Sequence, residues 1–270
     1  MKYDPVKDSI GSVARRSVAA RVILYKLLGL MFLREWHVKR WLRKLLNGHS
    51  GPFQVYDAGS GFGQYSYYIA RHFPKSSIYA VDVKGDQIAD CRRFFERMGL
   101  KNCRFAVEDL TSIRHEGQFD FILSVDVMEH IPDDVLVFRN FQRALRPGGT
   151  LLINTPSNRG GSGAASEQDE SFIEEHARNG YGADEIRKKL EHSGLHVEKI
   201  RYTYGPWGNA AWNVGIRVPM SLLNLSKAFF VVLPVYYLLT LPFVLPLMAL
   251  DYLFEPSSGT GLNVVARKVA

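Results

Sequence analysis

Between residues 53 and 154 the sequence repeats one unit: a short apolar run, then a longer stretch with apolar residues at helical spacing. The runs at 53–57, 77–82, 103–107, 119–124 and 150–154 predict strands, and those at 64–73, 85–98 and 133–145 predict helices. Pro74, Gly99 and Pro147-Gly148-Gly149 supply the stops. A strand followed by a helix that returns the chain to the next strand gives parallel neighbours, so the expected class is α/β with a doubly wound sheet. A further helix over 183–193 and strands at 195–204 and 262–267 extend the pattern. The stretch 156–182, rich in Gly, Ser and acids, reads as a mobile loop.

The first strand runs into Asp57-Ala58-Gly59-Ser60-Gly61-Phe62-Gly63, which opens the next helix. Glycines at a strand-to-helix turn leave bare backbone against which a ligand can lie. A pyrophosphate site wants the positive end of a helix and no carboxylate beside it. Here Asp57 stands just before the loop, and the spacing is Gly59-x-Gly61-x-Gly63. An acid at this place suits S-adenosylmethionine (SAM), whose α-amino group and sulfonium are both cationic. Asp82 ends the second strand, where a carboxylate can accept both hydroxyls of a ribose. Val83 follows it, in position to pack on an adenine face. Glu108, Asp109 and Leu110 follow the third strand, where a carboxylate can accept an adenine amino group.

These pieces, together with YAVDV (79–83), VEDL (107–110), FDFILSVDVMEHIPD (119–133) and LRPGGTLLINTP (145–156), resemble the class I SAM-dependent methyltransferases in order and spacing. The resemblance covers about 50–205 plus the last strand. It implies a Rossmann-like seven-stranded sheet whose last strand runs antiparallel between the two before it in space. It also implies that Asp57, Gly59, Gly61 and Gly63 hold the methionine part, Asp82 the ribose and Asp109 the adenine. Ser60, Val83, Glu108, Leu110 and Ser124 complete the expected cofactor-binding set.

Asp126, Glu129 and His130 lie just past the fourth strand, and the ubiquinone-type O-methyltransferases look similar here. Some of those hold a divalent cation with an acid, a Glu and a His. In this chain the shorter Asp126 replaces the usual Glu, and the expectation is no metal. His130, and His176 beyond the glycine-rich stretch, are the candidate catalytic bases. Methyl transfer from a sulfonium needs alignment, exclusion of water and, for a hydroxyl acceptor, a base.

Charge is distributed unevenly. Residues 1–50 hold eleven Lys and Arg against three acids, whereas the whole chain has a net charge of +7, so the remainder is close to neutral. Over 15–46 these cations alternate with Val18, Val22, Tyr25, Leu28, Phe32, Trp36, Trp41, Leu42, Leu45 and Leu46, a basic amphipathic pattern. Large aliphatic residues within it favour an anionic membrane surface over nucleic acid. Residues 228–250 carry no charge, but Pro234, Pro242 and Pro246 are expected to interrupt a helix there. If the strands on either side are neighbours, both ends of this insertion lie on one side of any membrane, and it can only dip in or lie flat. Cys91 and Cys103 read as reduced packing thiols of a cytoplasmic protein. The expected organisation is a helical arm (1–50), a SAM-binding domain (51–205 and 259–270) and an apolar insertion (206–258). The expected partners are a small amphiphilic acceptor and the anionic inner face of a membrane, with the oligomeric state open.

Overall fold

A computed structural model describes residues 17–160 and 177–269. Seven strands form one sheet: β1 (Phe53–Ala58), β2 (Ser76–Asp82), β3 (Cys103–Val107), β4 (Phe119–Val125), β5 (Leu145–Pro156), β6 (Leu195–Thr203) and β7 (Gly261–Lys268). Their order is β3-β2-β1-β4-β5-β7-β6. The first five pair in parallel, while β7 runs antiparallel to both β5 and β6. This is the Rossmann-like sheet that the motifs implied. β5 is longer than the sequence suggested: the Pro147-Gly148-Gly149 turn lies inside it, at a register shift against β4.

The helices are α1 (Val18–Met31), α2 (Leu33–Leu46), α3 (Gln64–His72), α4 (Gly85–Arg97), α5 (Asp134–Ala144), α6 (Ala183–His192), α7 (Pro206–Trp212), α8 (Val218–Leu225) and α9 (Leu233–Leu253). Strands buried on both faces need cover on both sides. On one face α5 and α6 bring Val137, Phe138, Phe141, Ile186 and Leu190 against Tyr56, Ile122, Leu151 and Val264. On the other, Ile69 of α3 and Ile88 and Phe95 of α4 pack on Val55, Ile78 and Leu123. The arm adds Tyr25, Val38, Trp41, Leu42 and Leu46 to this second layer.

The arm therefore belongs to the core, which changes the reading of its charges. Arg21, expected on the polar side, is 2% exposed. Its guanidinium donates to Asp90 Oδ2 at 2.6 Å, to the Phe62 carbonyl at 2.7 Å and to the Tyr25 hydroxyl at 2.8 Å. Full pairing is what allows a guanidinium to be buried. The residues left facing outward on α1 include Ile23, Leu27 and Leu30, at i, i+4, i+7 spacing.

The insertion also differs from expectation. α9 runs unbroken through Pro242 and Pro246, and among the described residues it is the one helix long and apolar enough to cross a membrane. Pro234 falls in the first turn, where no amide donor is required. The other two lie four residues apart on the exposed face, so any bend they impose curves the helix in one direction. α7, a π turn (Asn213–Arg217) and α8 form a second limb, of which α7 and the π turn pack along α9. Gly215 lies against Val244, and the Tyr237 hydroxyl donates to the Gly215 carbonyl at 3.0 Å. The insertion is thus a helical hairpin whose limbs, at twenty or so residues, are about 30 Å long.

Asp251 fixes the base of the hairpin. One carboxylate oxygen accepts from the Gly205 amide at 2.7 Å and the Gly208 amide at 3.1 Å. The other accepts from the Tyr204 amide at 3.2 Å and lies 3.3 Å from His37 Nε2 of α2. A Cβ at Gly208 would stand 2.6 Å from the carboxylate, so close approach requires glycine there.

Removing one partner of a buried ion pair leaves the other charge uncompensated, at about 3–5 kcal/mol. Arg21→Met is expected to destabilise the protein by that amount, with Asp90→Leu in the same chain restoring a large part. Denaturant unfolding of the single and double variants checks this. A neutral single variant would mean that the arm is not anchored through Arg21.

Candidate active site

The glycine loop, the ends of β2 and β4 and the start of the arm's second helix meet at the carboxyl edge of the sheet, where ligands bind in such folds. The loop is held from beneath: the Gly59 and Ser60 amides donate to the Val81 carbonyl at 2.9 and 2.8 Å, and the Gly63 amide to the Ser60 carbonyl at 2.8 Å. Gly59 has φ +82°, and a Cβ there would overlap the Val127 side chain. Gly61, at φ +51°, has nothing of the described residues within 4 Å of a Cβ position. One glycine thus admits the chain past β4, and the other leaves bare backbone.

Asp57 is buried beneath the loop, where Ser66 Oγ donates to its carboxylate at 2.5 Å. Burial pushes its pKa up to about 6; the Ser66 bond opposes the rise and the nearby Asp82 charge adds to it. Asp82 accepts from the Gly61 amide at 3.0 Å and the Lys84 amide at 2.9 Å, one on each oxygen. Each oxygen keeps a lone pair for a further donor. Val83, beside it, is 61% exposed. The hydroxyls of Ser60 and Ser124 are buried without a hydrogen-bond partner among the described residues. An open glycine cradle, two carboxylates, an exposed apolar side chain and two orphaned hydroxyls form a donor and acceptor set that fits SAM.

The residues after β3 are arranged differently. Glu108 turns to the opposite face, accepting from the Tyr79 and Tyr56 hydroxyls at 2.8 and 2.9 Å and lying 3.1 Å from His115. Leu110 is 5% exposed and belongs to the core. Asp109 is exposed. One of its oxygens caps its own turn, accepting from the Thr111 amide and hydroxyl at 2.9 and 2.8 Å.

Asp126, with φ +50°, is one of two non-glycine residues with positive φ among those described. Its carboxylate is ion-paired with Arg34. Glu129 points inward and accepts from Thr155 Oγ1 at 3.1 Å; burial raises its pKa. His130 sits half-buried in the short helical turn Met128–His130. Among the described residues no three His, Cys, Asp or Glu side chains are grouped to hold a metal ion. His176 lies outside the described residues. Arg34 was legible in the sequence only as one more arm cation. Its guanidinium holds Asp126, and its amide donates to the Tyr204 hydroxyl at 3.0 Å, linking the site to the hairpin base.

A family model described as a methyltransferase domain matches residues 50–199. The chain is 30% identical over 146 residues to phosphoethanolamine N-methyltransferase 1 of Triticum aestivum, covering 53% of this chain and 28% of that protein. It is 26% identical over 168 residues to a ubiquinone biosynthesis O-methyltransferase of Xanthomonas euvesicatoria, covering 58% and 69%. The chain spans 28–39% of the length of the first curated relatives that it matches. Among solved structures, Haemonchus contortus phosphoethanolamine N-methyltransferase 2 with bound SAM superposes with TM-score 0.60 at 19% identity, over 87% of this chain and 53% of that one. The [4+2]-cyclase SpnF superposes with TM-score 0.63 at 17% identity, over 87% and 81%. Likeness at this identity speaks for the fold, while the family model covers more than half of the chain. The chain belongs to the class I SAM-dependent methyltransferases.

Proposed function

We propose that this protein transfers the methyl group of SAM to a small amphiphilic acceptor, lipid-like or lipid-linked, at the anionic inner face of a membrane, with oxygen as the favoured acceptor atom. The observation that carries the membrane part is the outer face of the hairpin. Val231, Leu238 and Phe243 are 82%, 75% and 71% exposed, and Val235, Leu239 and Phe230 are exposed beside them. A contiguous apolar face of this kind is rare on a protein surrounded by water.

The hairpin leaves and re-enters the sheet between neighbouring strands, so the domain stays on one side. Arg217 lies midway along the limb formed by α7, the π turn and α8, and is exposed. A charge at bilayer depth costs about 2.5–3.5 kcal/mol. That cost favours a hairpin lying along the interface over one standing through the bilayer.

SAM supplies an electrophilic methyl group on a sulfonium. The chain's own groups position and shield. The glycine loop offers backbone, Asp82 accepts the ribose diol, and ionised Asp57 balances the cationic end of the cofactor. Ser60 and Ser124 gain partners for their buried hydroxyls. Arg34, held by Asp126, closes the arm side against water. His130, at the carboxyl edge beyond β4, is the candidate to take a proton from an acceptor hydroxyl.

Three outcomes follow from this reading. Asp82→Ala loses a charged two-oxygen contact, worth about 1.5–3 kcal/mol. Calorimetry should therefore show SAM and S-adenosylhomocysteine binding weakened by at least ten-fold, and equal affinities would remove the ribose assignment. Asp57, whose pKa is raised to about 6, is protonated below that value and cannot serve a cation. SAM affinity should thus rise with pH through about 6 and level off, and Asp57→Asn should flatten the profile. A wild-type profile that is flat from pH 5 to 8 would exclude Asp57 from cofactor binding. The protein should sediment with membranes and be released by detergent, but only in part by high salt, since salt leaves the apolar contact intact. A protein fully soluble without detergent would assign the apolar face to a protein interface instead.

A further inference from the structure

Five cations gather beside the hairpin base, four of them on two aromatic side chains. Arg40 lies over the Tyr252 ring, 4.4 Å from its centroid, and donates to the Tyr252 carbonyl at 2.7 Å. Arg43 reaches the Tyr252 hydroxyl at 3.4 Å. Lys44 and Arg201 both lie over Trp41, at 5.2 and 5.4 Å. Lys199 stands two residues before Arg201 on β6, the edge strand of the sheet. The groups feel one another: burial and then Arg40 lower the pKa of Arg201, and burial, Arg201 and Lys44 lower that of Lys199. Glu255 pairs with Arg201; among the described residues no carboxylate pairs with Arg40, Arg43, Lys44 or Lys199. With one carboxylate among five cations in the described residues, the like charges still repel, and an anion brought among them relieves the repulsion.

The position says which anion. Leu253 and Phe254, immediately after Tyr252, are 62% and 67% exposed. They continue the outer apolar face of α9 to the edge of the cluster. Aromatic residues and cations that border an apolar segment mark the level of lipid headgroups. Of the four other arm cations among the described residues, three are already engaged: Arg21 with Asp90, Arg34 with Asp126 and Lys39 with Glu35. Among the described residues, the arm's unpaired charge is therefore gathered mainly at this one place.

We infer that Arg40, Arg43, Lys44, Lys199 and Arg201 form a binding site for the phosphate of an anionic phospholipid, which fixes the hairpin base at the membrane surface. The inference rests on the membrane reading above and adds to it a located site. Near an anionic surface each Lys or Arg raises partitioning about five-fold. The test is flotation of the full-length protein with phosphatidylcholine vesicles, and with vesicles in which part of that lipid is replaced by phosphatidylglycerol. The variant carries Arg43→Gln, Lys44→Gln and Lys199→Gln, leaving in place Arg40, which holds the hairpin base. The variant should lose on the order of a hundred-fold of the preference for anionic vesicles, while keeping its binding to neutral vesicles and its SAM affinity. Retention of the anionic preference by the variant would overturn the site. Displacement of the wild type from anionic vesicles by inorganic phosphate at constant ionic strength would assign the cluster to a free phosphate ester and overturn it as well. A variant that keeps the lipid preference but loses binding to RNA would assign it to nucleic acid. Equal binding of the wild type to both vesicles would remove the headgroup site alone, whereas no binding to either would remove the membrane reading with it.

Discussion

The reversed last strand sets the plan of this molecule. β7 lies between β5 and β6 and runs against both. A chain that leaves β6 and comes back as its antiparallel neighbour needs only a tight turn, yet this chain places residues 204–260 there. Everything in that span must start and finish at one rung of the sheet, where Thr203 faces Gly261. A helical hairpin satisfies that demand, because its two limbs run out and back side by side. The inner faces of the limbs bury Ala211, Val244 and Met248 with Leu33 of the arm. The outer face is apolar and, among the described residues, uncovered.

Polar groups placed at junctions hold the arm, the sheet domain and the hairpin together. Arg21 ties α1 to the helix after β2 and to the glycine loop. Arg34 joins α2 to Asp126 and Tyr204. Asp251 gathers three amides at the hairpin base with His37 of α2. Each junction is buried or half-buried, where a hydrogen bond is strong when made and costly when missing. Asp126, just past β4, and Tyr204, at the hairpin base, are thus joined through a single residue, Arg34.

The sheet and the glycine loop were legible in the sequence because they rest on local rules. Apolar runs of strand length, glycines at a strand-to-helix turn and acids at strand ends each act within a few residues. Glu108 illustrates the limit: its neighbours in sequence place it at the cofactor edge, but its carboxylate is drawn to Tyr56, Tyr79 and His115 across the sheet. Arg21 illustrates another, since helical periodicity assigns it to the polar side and only a distant Asp90 makes the inner side tolerable. The hairpin was half legible. Its second limb, 206–225, reads only as part of an apolar insertion, since Asn, Gly and Arg break any long run there, and its role as a limb shows only once α9 is folded beside it. Pro242 and Pro246 read as breakers in sequence, but a proline on the outer face of a helix supported along its inner face is tolerated.

That Thr203 and Gly261 are ladder partners has a consequence for the size of what lies between them. Closing a segment whose ends are already held together costs an entropy that grows only with the logarithm of its length, about 0.6 kcal/mol for each doubling. The sheet is therefore nearly indifferent to how much chain is carried at this rung, provided that the inserted piece folds on itself. A tight turn, a short helix pair or a hairpin of this length would burden β6 and β7 almost equally. Chains that share this sheet can thus differ widely at this one position while keeping the cofactor edge, on the far side of β5, unchanged.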